Sequence, residues 1–302
     1  MRIAILGATG FIGSRLGQAI LDRGDQLFVL TRSVAKGQSM FPTAAVVDWQ
    51  DDRSVSLALA SSEAVVNLAG RSITDPWTKK VKEEIYRSRI DTTKRLVNLL
   101  ANLDKRPTVL VNASAIGYYG SSLTAQFDEN SPKGEGFLAD VCADWEASAD
   151  RATELGIRVV KIRIGIVLDR GGGALGRILP IFQLGLGGVI GSGDQWFSWI
   201  HREDLVRLIL FAIDRGEVQG VLNGTAPQPV TNREFTEALA IQLQRTALLP
   251  VPALALKVVF GEGASILLEG QKVLPRVTTE RGFEFTYPTL ENALAAVRNC
   301  KS

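Results

Sequence analysis

A triplet of glycines near the amino terminus constrains this chain more than any other feature. Gly7, Gly10 and Gly13 recur at three-residue spacing directly after an isoleucine-rich apolar run, Arg2–Leu6, which suits a buried strand. Apolar residues then recur at helical intervals from position 11 to position 20. Strand, glycine turn and helix form the first half of a βαβ unit, which predicts an α/β protein with a doubly wound parallel sheet of the Rossmann type.

Each glycine of this turn has its own expected role. Gly7 takes the tight turn without a Cβ penalty. Gly10 lets a pyrophosphate approach the backbone, and Gly13 lets the helix pack close to the strand. The amino terminus of the helix then faces the anion with free N–H groups. The turn therefore predicts dinucleotide binding, and the alternative is a tight turn in some other α/β protein.

Composition excludes several classes of protein. The 302 residues carry a formal net charge of +2 with both signs interspersed, which gives no electrostatic case for nucleic acid or an anionic membrane as a partner. Two cysteines are too few for a disulfide framework or a zinc cluster. A Ser-His-Asp hydrolase would have to use the single histidine, His201, and the sequence contains no nucleophile elbow to accompany it. No apolar run could span a bilayer, and a strand that starts at residue 2 leaves no room for a signal peptide, so we expect a cytoplasmic protein.

The end of the second expected strand, Gln26–Thr31, bears on the choice of cofactor. An acidic residue about 20 positions past the glycines would hold the ribose 2′-hydroxyl of NAD. Here the strand ends in Arg32 and Ser33 and carries no acid. Because a guanidinium suits a 2′-phosphate, we predict NADP(H) rather than NAD(H). The alternative is a solvated arginine at a strand end.

Two further strand ends extend the expected groove. The strand Ala44–Val47 is followed by Asp48, whose carboxylate can accept a hydrogen bond from the adenine amino group, and by Trp49. After the strand Ala64–Leu68, the small residues Ala69 and Gly70 allow close approach of the backbone to a cofactor. An ordinary strand-to-helix turn explains them equally well.

The remaining pattern completes the sheet and then changes character. We expect a long helix over Lys79–Asn102, a strand over Thr108–Asn112, a helix over Phe137–Leu155 and a sixth strand over Arg158–Leu168. Residues 1–168 are thus predicted to form an NADP-binding Rossmann domain to which a segment near 194–225 returns. Residues 169–302 are predicted to form a smaller, mostly helical substrate-type domain.

Four motifs together carry a family resemblance: GATGFIG at the amino terminus, NLAG, SAIGYYG and SWIHREDL. They resemble the extended short-chain dehydrogenase/reductases, which are nucleotide-sugar epimerase-like Rossmann enzymes. The whole chain resembles an atypical branch described as NADP-dependent oxidoreductases or epimerases, which in cyanobacteria and plastids also carries the label of cell division inhibitor. The resemblance implies an NADP(H) cofactor, a small-molecule substrate such as a nucleotide sugar, a homodimer formed through two long helices, and a domain of unknown function from about residue 250.

The resemblance also implies which residues contact NADP(H), most of them at the turns that follow the first four strands. Besides the three glycines, the expected contacts are Thr9, Phe11, Ile12, Thr31, Arg32, Ser33, Asp48, Trp49, Leu68, Ala69, Gly70, Arg71, Arg89 and Ser114.

One departure from the family pattern bears on catalysis. Typical members carry Tyr-x-x-x-Lys on the helix after the fifth strand, where the phenol exchanges a proton and the lysine lowers its pKa. Leu138 and Cys142 fall at these two positions, and neither can do that work. The remaining catalytic candidates are Ser114, which stands where the family polarises a substrate oxygen, and Tyr118. A strand-end hydroxyl that bonds the backbone is the alternative role of Ser114.

Two functions therefore remain open. The first is an NADP-dependent oxidoreductase or epimerase with a non-standard acid/base. The second is a non-catalytic NADP(H)-binding protein that regulates a partner, for example in cell or plastid division. Tyr119, Asp140 and Cys142 lie near the expected site, whereas the position of His201 between a strand and a helix favours a capping or substrate-orienting role.

Overall fold

The computed structural model describes residues 1–247 and 249–299 and is built on a parallel sheet of seven strands. All strands, in chain order, are β1 (Arg2–Leu6), β2 (Gln26–Thr31), β3 (Ala45–Asp48), β4 (Ala64–Asn67), β5 (Val109–Ala115), β6 (Gln126–Phe127), β7 (Arg158–Ile164), β8 (Ile166–Asp169), β9 (Trp196–Phe197), β10 (Trp199–His201), β11 (Gly220–Gly224), β12 (Val230–Thr231) and β13 (Lys272–Val273). The main sheet has the order β11-β7-β5-β4-β1-β2-β3. The predicted doubly wound sheet is confirmed, and the strand order reverses between β1 and β4, where such folds bind ligands.

Helices cover both faces of this sheet. In chain order they are α1 (Phe11–Asp22), α2 (Val34–Met40), α3 (Asp52–Ser61), α4 (Lys79–Arg87), α5 (Ile90–Ala101), α6 (Phe137–Asp150), α7 (Gly173–Gln183), α8 (Arg202–Asp214), α9 (Asn232–Leu243), α10 (Ala253–Phe260), α11 (Ser265–Leu268), α12 (Arg276–Glu280) and α13 (Leu290–Asn299). Side chains of β1 alternate between two cores, because successive strand residues point to opposite faces. Ile3 and Ile5 pack with α1 and α8, whereas Ala4 and Leu6 pack with α3 and α5.

The helix expected over Lys79–Asn102 is two helices, α4 and α5, separated by Ser88 and Arg89. Side chains at this break bind the backbone of the turn after β4. The Ser88 hydroxyl accepts a hydrogen bond from the Arg71 N–H at 2.9 Å, and the Arg89 guanidinium donates to the Arg71 carbonyl at 3.0 Å. The break therefore serves a tertiary contact that helical periodicity does not encode.

The strand expected over Arg158–Leu168 is also interrupted. At Gly165 a Cβ would lie 2.7 Å from the Ser198 carbonyl oxygen, because the chain passes close to the segment between β9 and β10 there. β8 then pairs with β10 in a separate two-stranded sheet. The main sheet is therefore not complete at its sixth strand, since β11 adds a seventh beside β7. The helix expected over Phe137–Leu155 ends at Asp150, and a 3-10 turn continues to Leu155.

The second half of the chain forms its own apolar cluster. Side chains of α7, α9 and α13 pack around Trp199 and Phe235. Since β11 of the main sheet lies between these elements in sequence, the chain returns to the sheet after β8; the domain boundary at residue 168 stays a prediction. Over the described residues, no helix combines the length and apolar character that crossing a bilayer needs.

Candidate functional site

The three glycines of the first turn are required for different reasons. Gly7 has φ +94°, and a Cβ there would lie 2.9 Å from the Leu68 carbonyl group. A Cβ on Gly13 would lie 2.2 Å from the Gly7 carbonyl oxygen, so α1 could not pack this close to the turn. Gly10 has φ −87°, which any residue adopts, and its Cβ would come no closer than 3.2 Å to the protein. The fold needs Gly7 and Gly13, whereas Gly10 leaves space on the side of a cleft.

The amino terminus of α1 is open to a ligand. Its N-cap residue is Gly10, no side chain in the described part of the chain caps it, and its first turn carries no acid. Asp51, by contrast, caps α3, and Thr231 and Glu234 form a capping box at α9. First-turn N–H groups without a partner favour an anion, and the helix dipole adds to the attraction.

A cleft of about 680 Å³ opens beside this turn, within the range of sites that hold small molecules and cofactors. Ten of the predicted cofactor residues line it: Gly7, Thr9, Gly10, Thr31, Arg32, Trp49, Leu68, Ala69, Gly70 and Arg71. Sequence reasoning missed Glu84, Arg87, Ser88, Asp91 and Thr92, which α4 and α5 bring to the cleft. These polar residues read as the solvent face of a helix, so the sequence holds no signal that could have found them.

Seven predicted residues do not line the cleft: Phe11, Ile12, Gly13, Ser33, Asp48, Arg89 and Ser114. The Phe11 ring lies beneath the Arg202 guanidinium at 5.0 Å, and Ile12 packs against the core. The Ser33 N–H donates to the Thr31 hydroxyl at the start of α2. Asp48 is exposed and accepts a hydrogen bond from the Gln50 N–H. A contact of these residues with a cofactor stays a prediction.

Arg89 forms part of the support beneath the cleft. Its guanidinium lies under Gly70, where a Cβ would come within 3.1 Å of it, and it donates to the carbonyl oxygens of Ile85 and Arg71. The guanidinium also lies 5.2 Å from the Trp145 ring. Burial lowers the pKa of Arg89 below its usual value. Arg89 therefore fixes the Gly70–Arg71 backbone at the cleft.

The two predicted arginines in the cleft differ in their surroundings. Arg71 donates to Asp75 at 2.9 Å and also pairs with Glu84. Arg32 is exposed at the end of β2, and within the described ranges 1–247 and 249–299 no carboxylate pairs with it. Arg32 is thus the cation of this pair that is free for an anionic ligand.

At the end of β5, three polar side chains form a buried cluster. The Ser114 hydroxyl donates to Glu146 Oε1 at 2.6 Å. Arg163 donates to both carboxylate oxygens of Glu146, from Nε at 2.8 Å and from Nη2 at 2.9 Å. Burial alone would lower the pKa of Arg163, but the hydrogen bonds and charge of Glu146 raise it above its usual value. The sequence signal for this pair is a charged residue at a position where an apolar one is expected: Glu146 on the buried face of a helix and Arg163 in an apolar strand.

Two tyrosines extend this cluster. Tyr119 accepts a hydrogen bond from Arg163 at 3.0 Å and donates to Asn223 Oδ1 at 2.7 Å. Burial raises the pKa of Tyr119 to about 12, so its phenol stays protonated near neutral pH. The ring of Tyr118 is half-buried, and the Arg163 guanidinium carbon lies 3.4 Å from the centroid of this ring. We call Ser114, Glu146, Arg163, Tyr119 and Asn223 the buried polar cluster.

The positions of the usual Tyr and Lys hold groups that do not exchange protons near neutral pH. Leu138 and Cys142 lie beside Gly117, whose Cβ would come 3.2 Å from Leu138 Cβ and 3.9 Å from Cys142 Sγ. Burial, followed by the charge of Glu146, raises the pKa of Cys142 to about 11. Asp140 is exposed and pairs with Lys133 at 2.6 Å. This part of the site therefore lacks the acid/base that the family pattern places here.

His201 is a capping residue, as its position predicted. Its Nδ1 accepts a hydrogen bond from the Glu203 N–H at the start of α8, and burial lowers its pKa. In the part of the chain that the structure describes, no group of three or more His, Cys, Asp or Glu side chains is arranged to hold a metal ion.

Comparison with known proteins identifies the family. Residues 3–223 match the NAD dependent epimerase/dehydratase family, and residues 251–297 match a domain of unknown function, DUF1731. The chain belongs to the NAD dependent epimerase/dehydratase family. The predicted resemblance to the extended short-chain dehydrogenase/reductases is thereby confirmed.

Relatives cover nearly the whole chain. The chloroplastic epimerase family protein SDR39U1 homolog of Arabidopsis thaliana is 47% identical over 98% of this chain and 86% of its own length. A crystal structure of human epimerase family protein SDR39U1 (isoform2) with NADPH has TM-score 0.88 and 38% identity, covering 99% of this chain and 100% of that one. The nucleoside-diphosphate sugar epimerase of Corynebacterium glutamicum has TM-score 0.78 and 30% identity, covering 97% of this chain and 57% of that one. These names do not test a role in cell division, which stays a prediction.

Proposed function

We propose that this chain binds NADPH in the cleft and acts as an oxidoreductase or epimerase on a small molecule of the nucleotide-sugar class. The observation that carries the proposal is the open amino terminus of α1 behind Gly10, in one cleft with Arg32, which pairs with no carboxylate among the described residues. A helix terminus without a cap and a cation without a carboxylate both favour a phosphorylated ligand. A bound nicotinamide would supply or accept a hydride.

Different residues of the cleft would bind different parts of the cofactor. Gly10 and the first N–H groups of α1 would bind the pyrophosphate, because Gly10 offers no Cβ that blocks its approach. Arg32, with the hydroxyl of Thr31 in the same cleft, would bind the 2′-phosphate. The buried side chain of Trp49 lines the cleft at the end of β3, where the adenine is expected.

The relatives support both parts of the proposal. The human relative was crystallised with NADPH, the cofactor that Arg32 predicts for this chain. A relative at 30% identity is described as a nucleoside-diphosphate sugar epimerase, which supports the substrate class. Tyr118 remains the candidate acid/base, because its half-buried ring lies against the guanidinium of Arg163. Ser114 would orient a substrate oxygen only if its hydroxyl turned away from Glu146, to which it donates in this structure.

Direct binding tests the cofactor half of the proposal. NADPH and NADH are titrated into the purified protein by calorimetry, with the Arg32→Met variant in parallel. We expect tighter binding of NADPH than of NADH, and loss of most of that preference in Arg32→Met, because only NADPH carries the 2′-phosphate. A wild-type protein that binds neither coenzyme would overturn the proposal, and equal affinity for both would overturn the role of Arg32.

A second candidate function is a non-catalytic NADPH-binding protein that regulates a partner. The observation that favours it is the pair Leu138 and Cys142 where the family carries Tyr and Lys, together with the raised pKa of Cys142. Turnover of NADPH against a panel of sugar nucleotides and carbonyl compounds separates the two functions. If turnover is found and Tyr118→Phe abolishes it without weakening NADPH binding, Tyr118 is the acid/base; NADPH binding without turnover favours the regulatory function.

The assembly and location of the protein are part of the same proposal. We propose a homodimer formed through α4, α5 and α6, as the family resemblance implies, in the cytoplasm. Within one chain these helices already lie side by side, and Tyr86 of α4 donates to Asp144 of α6 at 3.0 Å. Light scattering after size-exclusion chromatography tests the dimer, and a monomeric mass would refute it.

A further inference from the structure

Two segments that lie far apart in the sequence form one unit beside the candidate acid/base. The tyrosine loop, residues 116–129, follows β5 and carries Tyr118. The clamp segment, residues 269–278, belongs to the region that matches a domain of unknown function. Between them β6 and β13 pair as parallel strands, and the Ser122 N–H donates to the Gly270 carbonyl oxygen at 3.0 Å. The region of unknown function thus contacts the tyrosine loop directly.

A buried carboxylate and an apolar cluster strengthen this contact. The Glu129 carboxylate accepts hydrogen bonds from the Val277 N–H and from both the N–H and the hydroxyl of Thr278, at distances between 3.0 and 3.1 Å. Val273 is fully buried and packs in one cluster with Ile116. The tyrosine loop therefore cannot leave the clamp segment without exposing apolar surface and leaving buried polar groups without partners.

Gln271 extends from the clamp segment to the start of the tyrosine loop. Its Nε2 donates to the Ile116 carbonyl oxygen at 2.7 Å, just before Tyr118 in the chain. The buried Ser198 fixes the Gln271 backbone, because the Ser198 hydroxyl donates to the Gln271 carbonyl oxygen at 2.7 Å and accepts from the Val273 N–H at 3.0 Å. The amide that holds Ile116 is thus itself held by the core of the protein.

We propose that the region of unknown function serves to position Tyr118, with Gln271 as the positioning residue. This inference rests on the proposed role of Tyr118 as the acid/base. The family pattern places its tyrosine on a long helix, whereas Tyr118 lies in the short 3-10 turn Ile116–Tyr119, whose own hydrogen bonds are weaker. Such a turn needs support from outside to keep the Tyr118 ring on the Arg163 guanidinium, and Gln271 supplies it.

The test compares Gln271→Met with a matched control, Gln195→Met. Methionine keeps an unbranched stem and removes the amide donor in both variants. Gln195 is buried and donates to the carbonyl oxygens of Ile190 and Leu267, which lie outside both segments, so its loss should cost at least as much stability. Hydrogen exchange followed by mass spectrometry measures opening of the tyrosine loop. Labelling with tyrosine that carries carbon-13 at Cζ gives NMR signals for the four tyrosines, and Tyr118→Phe assigns that of Tyr118.

We expect amide exchange in residues 116–129 to accelerate by roughly 3–10-fold in Gln271→Met, which corresponds to the loss of one hydrogen bond. The Tyr118 signal should shift as well, because its ring leaves the guanidinium. Gln195→Met should change neither quantity in the tyrosine loop. Gln271→Lys, which restores an N–H donor on an unbranched stem, should return both toward the wild-type values. The dissociation constant for NADPH should change by less than about twofold, because Gln271 does not line the cofactor cleft.

The outcomes separate this proposal from the one on which it rests. Exchange that accelerates equally in all segments, or equally in Gln195→Met, shows general destabilisation and overturns the positioning role. A Tyr118 signal that stays in place in Gln271→Met also overturns it. A wild-type protein that binds no NADPH, or turnover that survives Tyr118→Phe, overturns the proposed function instead; the exchange rates and the NMR signal still decide whether Gln271 positions Tyr118.

Discussion

Two polar regions lie at the carboxyl ends of the sheet strands: the glycine turn after β1 and the buried polar cluster at the end of β5. They differ in whether their polar groups have partners within the protein. At the glycine turn, the first N–H groups of α1 have no side-chain cap, and Arg32 has no carboxylate partner among the described residues. At the end of β5, the buried polar cluster is closed: Glu146 accepts from Ser114 and Arg163, and Arg163 also donates to Tyr119. Both ends belong to one parallel sheet, so the difference comes from the side chains.

This difference suits the glycine turn to ligand binding and the buried polar cluster to structural support. The N–H groups of the glycine turn and the exposed Arg32 guanidinium have no side-chain partner among the described residues, so they are available to the proposed coenzyme. In the buried polar cluster each charged group is already compensated, and the Ser114 proton is already donated to a carboxylate. The first end should therefore respond to substitution in coenzyme affinity, and the second in stability.

The largest effect is expected for Arg163→Met. This change leaves the Glu146 carboxylate buried without its counter-charge, which costs about 3–5 kcal/mol of the free energy of unfolding. Urea denaturation at pH 7 measures it. The matched control is Arg32→Met, the same chemical change at an exposed site, which should alter stability by less than about 0.5 kcal/mol.

A second variant protects this prediction from the trivial outcome of misfolding. The double change Glu146→Gln with Arg163→Met removes both charges, and replacing a whole buried pair is often near neutral. The double variant should therefore be more stable than Arg163→Met alone. If Arg163→Met were as stable as Arg32→Met, the cluster would not be the closed network described above.

Alkaline pH should destabilise the protein through the same region, by about 2–4 kcal/mol between pH 9 and 11. The pKa of Cys142 is raised to about 11 and that of Tyr119 to about 12, from reference values of 9.0 and 10.0. The unfolded chain then loses these protons first and binds fewer than the native state, so stability falls as pH rises above 9. At pH values well below 9 both groups are protonated in both states and contribute no slope.

Single variants assign this pH dependence. Cys142→Ala should flatten the loss that begins near pH 9, and Tyr119→Phe the loss that begins near pH 10. The free energy of unfolding is measured by urea denaturation at half-unit steps of pH. The same slope in wild type and both variants would show that other groups cause the alkaline loss.

The glycine turn offers an internal control, because a Cβ at Gly13 would disturb the fold, whereas a Cβ at Gly10 would mainly obstruct the cleft. Gly13→Ala places a Cβ 2.2 Å from the Gly7 carbonyl oxygen, so we expect a loss of about 1–3 kcal/mol of stability. Gly10→Ala meets nothing nearer than 3.2 Å at an ordinary φ, so stability should change by less than about 1 kcal/mol. NADPH affinity should nevertheless fall more than about tenfold, because the Cβ blocks the approach of the pyrophosphate. Unchanged NADPH affinity in Gly10→Ala would remove the pyrophosphate from this turn.

The sequence predicted the parts of the molecule that depend on local pattern. The apolar run before Gly7, the helix after Gly10 and the absence of an acid beside Arg32 are features of neighbouring residues, and the predicted sheet follows from such features. Each of these features depends on periodicity or on turn chemistry, which short stretches of sequence carry in full. The full set of ten cleft-lining residues was predicted only with the help of the family resemblance.

Contacts between distant segments account for what the sequence did not predict. The helix break at Ser88 and Arg89 exists because both side chains bind the backbone of Arg71, seventeen or more positions earlier. The ion pair of Glu146 with Arg163 joins a helix to a strand, and the sequence does not indicate which opposite charge each of them contacts. The Lys36 hydrogen bond to the Thr9 carbonyl oxygen likewise joins residues that lie 27 positions apart.

The smallest effect is expected for Ser114→Ala, and it separates the two ends most sharply. The Ser114 hydroxyl donates to Glu146 Oε1, but both oxygens of that carboxylate keep hydrogen bonds from Arg163, so about 1 kcal/mol of stability should be lost. NADPH affinity should change by less than about twofold, because a hydroxyl engaged with a buried carboxylate has no proton to offer a cofactor. Calorimetric titration of the variant with NADPH, beside urea denaturation, measures both quantities. A large loss of NADPH affinity at unchanged stability would mean that Ser114 turns away from Glu146 when the cofactor binds, and the end of β5 would then belong to the binding site.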